Sequence, residues 1–442
     1  MAVAAETTDI WRRPAELLQR LIRFDTTNPP GNEQECIAFI EQLLRDAGIE
    51  SSLYARDPER PSLIARLAGR GAAPPLLLYG HVDVVSTAGQ RWQHDPFAGE
   101  IHDGCVWGRG AVDMKGGVAM MLSALLRARA EGPEPAGDVL FCALADEEGL
   151  GRFGAEWLVR EHADLFAGVC YAIGEFGGFT MYQSGRRFYP IQVAEKQICT
   201  LVATVRGSGG HGSMPLRGGT TATLARMLER FDRRGLPIHV TPVAREMIDR
   251  MAAALPRVPG LVLRQLLRPT LAGPVLARMG DRARTMSAML RNTATPTIIE
   301  TSKKFNVIPS EIRVTLDGRL LPGFQPDDLI REVRELIGGD IELEVQRYDP
   351  GPPESDLRLF ETLGGILQKA DSGAVAVPLL MPGVTDARFF SQLGIQTYGF
   401  TPLKLPPGFD FWSGVHGADE RVPVDAVAFG AEAIHRALVR YR

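Results

Sequence analysis

Cysteine is scarce and unpatterned: Cys36, Cys105, Cys142, Cys170 and Cys199 are five in a chain of 442 residues. No two stand in a Cys-x-x-Cys spacing, which excludes zinc ribbons and dithiol redox motifs, and an odd number argues for a reducing compartment. Basic charge is not in excess. With 49 basic and 53 acidic residues the net charge is −4, so a nucleic-acid backbone is not the expected partner. Long apolar runs are missing as well: no stretch of about 18 apolar residues occurs, so no transmembrane segment is expected. Met1 to Arg13 shows no basic region followed by an apolar one, and a cytoplasmic protein is expected. What is present is a globular balance, 45% hydrophobic and 23% charged, in a length that allows two or three domains.

Apolar residues recur at helical spacing in Ala15 to Phe24 and Glu33 to Ala47, with the turn Asn28-Pro29-Pro30-Gly31 between them. Pro75 to Gly80 and Asp138 to Leu144 are short, continuously apolar runs of the kind buried on both faces of a sheet, and a helical stretch from Lys115 to Ala130 separates them. Strand, helix, strand implies an α/β domain with a largely parallel sheet and helices on both faces. The middle differs. It alternates like an antiparallel sheet from Ile198, carries the glycine-rich Gly207 to Gly212, and returns to α/β texture after Pro350. A discontinuous domain, 1–196 and 350–442, therefore holds an inserted α+β domain, 197–349. Within the latter, 236–297 is a helical insert rich in arginine: Arg245 to Arg291 holds nine arginines against three acids.

Polar residues cluster where the apolar runs end, and in open α/β sheets ligands sit outside the carboxyl ends of strands. His81 and Asp83 stand two apart, on one side of an extended segment, where a carboxylate can brace an imidazole whose other nitrogen binds a metal. Asp113 lies in a glycine-rich loop that leads into a helix. Gly108 and Gly110 evoke a dinucleotide loop, but Asp113 occupies the third glycine position and would repel a pyrophosphate. A helix N-cap is the plainer role for that acid. Asp146-Glu147-Glu148 form a solvated loop if they stand alone, and a cation site if His81 and Asp113 are near. Glu175 again ends an apolar run, and His416 lies in a distant loop. Two histidines with three carboxylates suit a pair of Zn²⁺ ions about 3.5–4 Å apart. His94 and His102 match no ligand position and are read as surface residues.

Taken in order, Gly80-His81-Val82-Asp83, Gly108 to Gly116 around Asp113, Asp146-Glu147-Glu148, Gly210-His211-Gly212-Ser213, Asn306-Val307-Ile308-Pro309, Thr385-Asp386-Ala387-Arg388 and His416-Gly417 resemble the dinuclear zinc peptidase family. That family includes aminoacylase, glutamate carboxypeptidase, acetylornithine deacetylase and succinyl-diaminopimelate desuccinylase. Glu175-Phe176-Gly177-Gly178 and the arginine-rich insert are most similar to its carboxypeptidase S branch. The resemblance implies two Zn²⁺ per chain, with Co²⁺ or Mn²⁺ as substitutes. Asp113 would bridge them, His81 and Glu175 would complete one site, and Glu148 and His416 the other. Asp83 would brace His81, and Glu147 would serve as general base and then acid. His211, on a lid and dimerisation domain, would stabilise the oxyanion, across a homodimer in dimeric members. Asn306, Arg319 and Gly383 would bind substrate, Arg319 gripping a free carboxylate. The implied reaction is hydrolysis of the amide bond of an N-acyl or N-aminoacyl amino acid, a small amide or short peptide. The alternative is an aminopeptidase or dipeptidase acting on a free amino terminus. The insert is read as lid structure or, more sharply, as an apolar and cationic mouth for amphiphilic substrates.

Overall fold

The computed structural model describes residues 9–339, 341–352 and 354–442. Of the Met1 to Arg13 stretch, the first eight residues lie outside the described residues, and Asp281 and Arg282 of the insert are described by backbone alone. The chain divides into two compact units, Met1–Val193 with Asp356–Leu379 and Thr385–Arg442, and Ala194–Ser355 with Leu380–Val384. The divisions thus fall at 193/194 and 355/356 instead of 196/197 and 349/350, and Leu380–Val384, with Gly383, groups with the second unit. The reason is local: Lys196 N donates to Met381 O at 3.0 Å, tying that segment to the second unit's first strand.

In the first unit, the described residues form a nine-stranded sheet. Its centre is four parallel neighbours, Gln396–Gly399, Tyr171–Gly174, Leu76–His81 and Val139–Leu144. Ser62–Leu67 and Glu50–Tyr54 extend it antiparallel on one side, and Arg186–Glu195 with Met181–Gln183 on the other, the ninth strand, Val375–Met381, pairing with Arg186–Glu195. Leu76–His81 and Val139–Leu144 are buried along their whole length, as their unbroken apolar runs require. Alternate residues then serve opposite layers. Leu77, Tyr79, Leu140 and Cys142 pack on Leu158, Phe389 and Phe390. On the other face lies the helix Lys115–Glu131, flanked by Pro14–Ile22 and Val424–Arg440. Gly80 marks how close that layer comes, since a Cβ there would lie 2.7 Å from Met114.

The second unit is a four-stranded antiparallel sheet ordered Thr293–Glu300, Glu311–Leu320, Gln197–Arg206, Glu342–Asp349. The helices Thr220–Arg233 and Pro326–Ile337 cover one face through Met227, Leu329, Val333 and Ile337. The insert forms the helices Pro242–Ala254, Arg257–Arg264, Pro269–Met279 and Arg284–Met289. Met247, Ile248, Met251 and Leu266 are buried, so much of its apolar content simply packs. Val258, Leu261 and Val262 do not pack: they are 70%, 52% and 49% exposed.

Candidate metal centre

Because Leu76–His81, Val139–Leu144 and Tyr171–Gly174 run parallel in register, their carboxyl ends deliver His81, Glu147, Glu148 and Glu175 to one edge of the sheet. Asp113 reaches the same place from the loop before Lys115–Glu131. It does not cap that helix, whose N-cap is Met114 with no side-chain capping bond. Gly110 lets the loop turn: φ is +87°, and a Cβ would press on Val84 and Lys115 at 3.0 and 3.1 Å. His416 comes from the loop after Phe411–Gly414, with a left-handed φ of 58°. Its neighbour must be glycine, because a Cβ at Gly417 would lie 1.9 Å from Ser413 O.

The geometry separates into two halves around Asp113. Asp113 Oδ1 is 3.3 Å from His81 Nε2, which is 3.4 Å from Glu175 Oε2. Asp113 Oδ2 is 3.2 Å from His416 Nε2, which is 3.3 Å from Glu148 Oε1. Donor atoms bound to one tetrahedral zinc at about 2.0–2.1 Å must stand about 3.3–3.4 Å apart. In each triad the two contacts made by the imidazole meet that spacing, and all three donors lie within 4.8 Å of one another. Glu148 Oε1 is also buried, and its close partner is the His416 imidazole at 3.3 Å, which a shared cation would bridge.

The electrostatics agree. Burial lowers the pKa of His81, but the carboxylates of Asp113, Asp83 and Glu175 outweigh it and hold the imidazolium well above the usual range. Asp113 and Glu148 push His416 up to about 10. Burial opposes ionisation of Asp113, yet His416 and His81 hold it well below the usual carboxylate range. So much negative charge in one place draws protons onto both imidazoles, the behaviour of a pocket built for cations. Glu147 stands apart from both triads: burial, then the Glu175 carboxylate, push it well above the usual range. Asp386, beside it in the electrostatics, is pushed up to about 7 by burial against the pull of Arg388.

Asp83 does more than the i, i+2 spacing indicates. His81 Nδ1 lies 2.9 Å from the Asp83 backbone carbonyl and 3.5 Å from its carboxylate. The carboxylate instead accepts from the backbone N–H groups of Glu147 and Glu148, each at 3.1 Å, and from Asn28 Nδ2 at 2.8 Å. It therefore ties the two strand ends together. Nor are all three acids of the cluster available to a cation: Asp146 is paired with Arg60 at 2.9 Å, which also forks onto Glu33. Sequence reasoning also passed over Glu420. Fully buried, it accepts from Arg109 Nη1 at 2.7 Å and from the backbone N–H groups of Gly110, Val112 and Asp113 at 3.0, 2.7 and 3.0 Å. It thus holds the loop that presents Asp113. An acid four residues after His416 was the only signal.

The other expected residues lie in the second unit. His211 and Asn306 are brought together: Gly210–His211 pairs with Val307–Ile308, and Gly212 N donates to Asn306 O at 2.8 Å. His211 is exposed, with Nδ1 2.7 Å from Ser213 Oγ. Arg319 is engaged already, donating to Asp317 at 2.7 and 3.3 Å. Near it is Lys196, 1% exposed, whose Nζ donates to Thr293 Oγ1 at 3.0 Å; burial, then Arg319, lower its pKa to about 7. Between pH 7 and the ordinary 10.5 the unfolded chain holds this proton and the folded chain does not, so stability rises with pH across that window. Lys196→Met should flatten the difference, measured as hydrogen-exchange protection of Gln197–Arg206 from pH 6 to 10. An unchanged slope would mean that Lys196 stays charged when folded.

An α/β sheet that gathers imidazoles and carboxylates at the carboxyl ends of parallel strands, with Asp113 and His416 added from loops, has the donor set of a metal-dependent hydrolase. The chain belongs to Peptidase family M20/M25/M40, whose profile matches residues 77–440, and it is an enzyme acting on amide bonds. It is 27% identical over 365 residues to the human N-fatty-acyl-amino acid synthase/hydrolase PM20D1, covering 80% of this chain and 71% of that protein. It is 28% identical over 371 residues to a carboxypeptidase S-like 2 protein of Dictyostelium discoideum, covering 79% and 68%. The M20 family metallo-carboxypeptidase Sso-CP2 of Sulfolobus solfataricus shares the fold, with a TM-score of 0.67 at 16% identity over 97% of this chain and 99% of that one.

Proposed function

We propose that this protein is a dinuclear zinc hydrolase that cleaves the amide bond of N-acyl amino acids. The observation that carries the dinuclear reading is Asp113, whose two oxygens face two different imidazole–carboxylate pairs at 3.3 and 3.2 Å. On this reading His81, Asp113 and Glu175 hold one ion, and Asp113, Glu148 and His416 the other. Co²⁺ or Mn²⁺ would fit the same nitrogen and oxygen donors. When bound, such a pair supplies Lewis acidity that polarises the scissile carbonyl and acidifies water.

The protein's own groups do the rest. Glu147, buried beside the triads but in neither, takes the proton of the attacking water and delivers it to the leaving nitrogen. Asp83 fixes the backbone from which Glu147 and Glu148 project. His211 is proposed as the donor to the developing oxyanion, with Asn306, Arg319 and the Gly383 backbone as substrate contacts and the second unit as the surface of a homodimer. Arg319 would exchange Asp317 for a substrate carboxylate, one bidentate partner for another.

The acyl preference is supported by the printed activity of the human relative, an N-fatty-acyl-amino acid hydrolase, and by the insert's exposed Val258, Leu261 and Val262 flanked by Arg257 and Arg264. Nothing comparable favours a free amino terminus. Among the described residues no helix is long and apolar enough to cross a membrane. The five free cysteines support a reducing, cytoplasmic setting. A panel of N-acyl amino acids against free-amine dipeptides tests the reaction, and turnover confined to the dipeptides would reverse it. With acyl length, kcat/KM should climb by up to about fourfold per methylene buried, the equivalent of about 0.8 kcal/mol. Arg257→Glu with Arg268→Glu should flatten the climb. These are better choices than Arg264, which sits 3.6 Å from Asp249. A profile unaffected by the reversal would leave the insert as structure.

A further inference from the structure

A second group of metal-ligating side chains lies in the first unit, on residues that no role above absorbs. The imidazoles of His94 and His102 are stacked, with ring centroids 3.7 Å apart and planes within 8° of parallel. His102 Nε2 is 2.8 Å from Glu100 Oε2. One ligand atom from each of the three residues lies within 4.8 Å of the others. We propose that His94, Glu100 and His102 form a separate site for a borderline divalent transition cation such as Zn²⁺ or Ni²⁺.

Three features carry this. The donor set is two imidazoles and one carboxylate, the combination that borderline ions take and that Mg²⁺ or Ca²⁺ do not prefer. One donor atom of each residue already lies within 4.8 Å of the others, so binding needs the stacked rings to rotate apart until their in-plane lone pairs converge on one ion. The donors are also mounted rigidly. His102 and Glu100 belong to and precede the strand Ile101–His102, which pairs with Cys105–Trp107, itself paired with Arg421–Pro423. The buried Trp107 packs its ring edgewise on His94 at 4.7 Å and donates Nε1–H to His102 O at 3.1 Å. Arg421 sits over the same indole at 4.5 Å. Half-buried imidazoles with an exposed carboxylate leave the remaining coordination positions to water.

The site has a mechanical consequence. Gln93, next to His94, donates its backbone N–H and its side-chain amide to Asp419, both at 2.8 Å. Gln90 Nε2 donates to His416 O at 2.8 Å. An ion that pins His94 to the 100–102 strand therefore braces the loop that carries His416. Loading it should slow hydrogen exchange in residues 414–421.

The test uses the full chain, loaded at its main centre and then dialysed against buffered Zn²⁺, with bound metal counted by mass spectrometry. Wild type should carry one equivalent more than the double variant His94→Gln, His102→Gln, while His416→Ala should keep that extra equivalent whatever it loses elsewhere. This difference does not depend on how many ions the main centre holds, so it stands or falls apart from the proposed function. Equal metal content in wild type and the double variant would overturn the site and leave the stack a packing contact. If the extra equivalent binds but exchange in 414–421 is the same in both proteins, the bracing is overturned.

Discussion

Glu147→Gln should retain its full complement of metal and lose about 10²–10⁴-fold in kcat, the range spanned by general acid–base groups. The amide keeps the size of the carboxyl and cannot move a proton, so the substitution removes one function and leaves the packing. Retention of metal follows from the closest contacts, which run from Asp113 to His81 and His416 and from those to Glu175 and Glu148, whereas Glu147 comes only within 4.8 Å of His81 and Glu148. Arg388 Nη1 lies 4.0 Å from Glu147 Oε1. Because the lost interaction acts on the proton in flight, KM for an N-acyl amino acid should move far less than kcat. A variant that turns over at the wild-type rate would remove Glu147 from the chemistry, and one that loses metal would move it into the coordination sphere.

How far this centre could be read beforehand follows from what kind of information each residue carries. His81, Glu148 and Glu175 are legible because each sits at the end of an unbroken apolar run, and a parallel sheet must bring such ends to one edge. The helices at 14–22, 34–46, 115–131 and 424–440 are legible for the same kind of reason, a period in the chain itself. Met181–Gln183 and Arg186–Glu195 gave no such signal: their outer part carries Arg186 and Arg187, and their place in the sheet depends on pairing with Gln396–Gly399 some 200 residues away. The buried polar supports are harder still. Arg60 between Glu33 and Asp146, and Glu420 beneath the Asp113 loop, look like ordinary surface charges in the chain, and only the fold shows that they are enclosed. The three adjacent acids illustrate the point. Their mutual repulsion is resolved partly inside the protein, by Arg60 and by the N–H groups that serve Asp83, leaving only two of them to face the pocket.

Asp113→Ala should cost the protein metal as well as activity, and this is the second large effect. Asp113 presents one oxygen to each of the two imidazoles, at 3.3 and 3.2 Å, so its removal opens both triads at once and leaves His81 facing Glu175 and His416 facing Glu148. Bound metal after dialysis should fall by at least one equivalent from the wild-type count and amide hydrolysis to background. Glu420→Gln separates the presentation of this carboxylate from its presence. Asp113 remains, but the buried acceptor for Arg109 and for three backbone N–H groups is weakened, and supports of this kind are worth about 10–100-fold in metal affinity. The graded expectation is therefore wild type above Glu420→Gln above Asp113→Ala, read as the chelator concentration that strips half the metal. If Asp113→Ala held as many ions as wild type through dialysis, Asp113 would not be the bridge. If Glu420→Gln bound metal as tightly as wild type, the loop would be rigid without its buried acid, and its preorganisation would have to come from Gly110 and the turn itself.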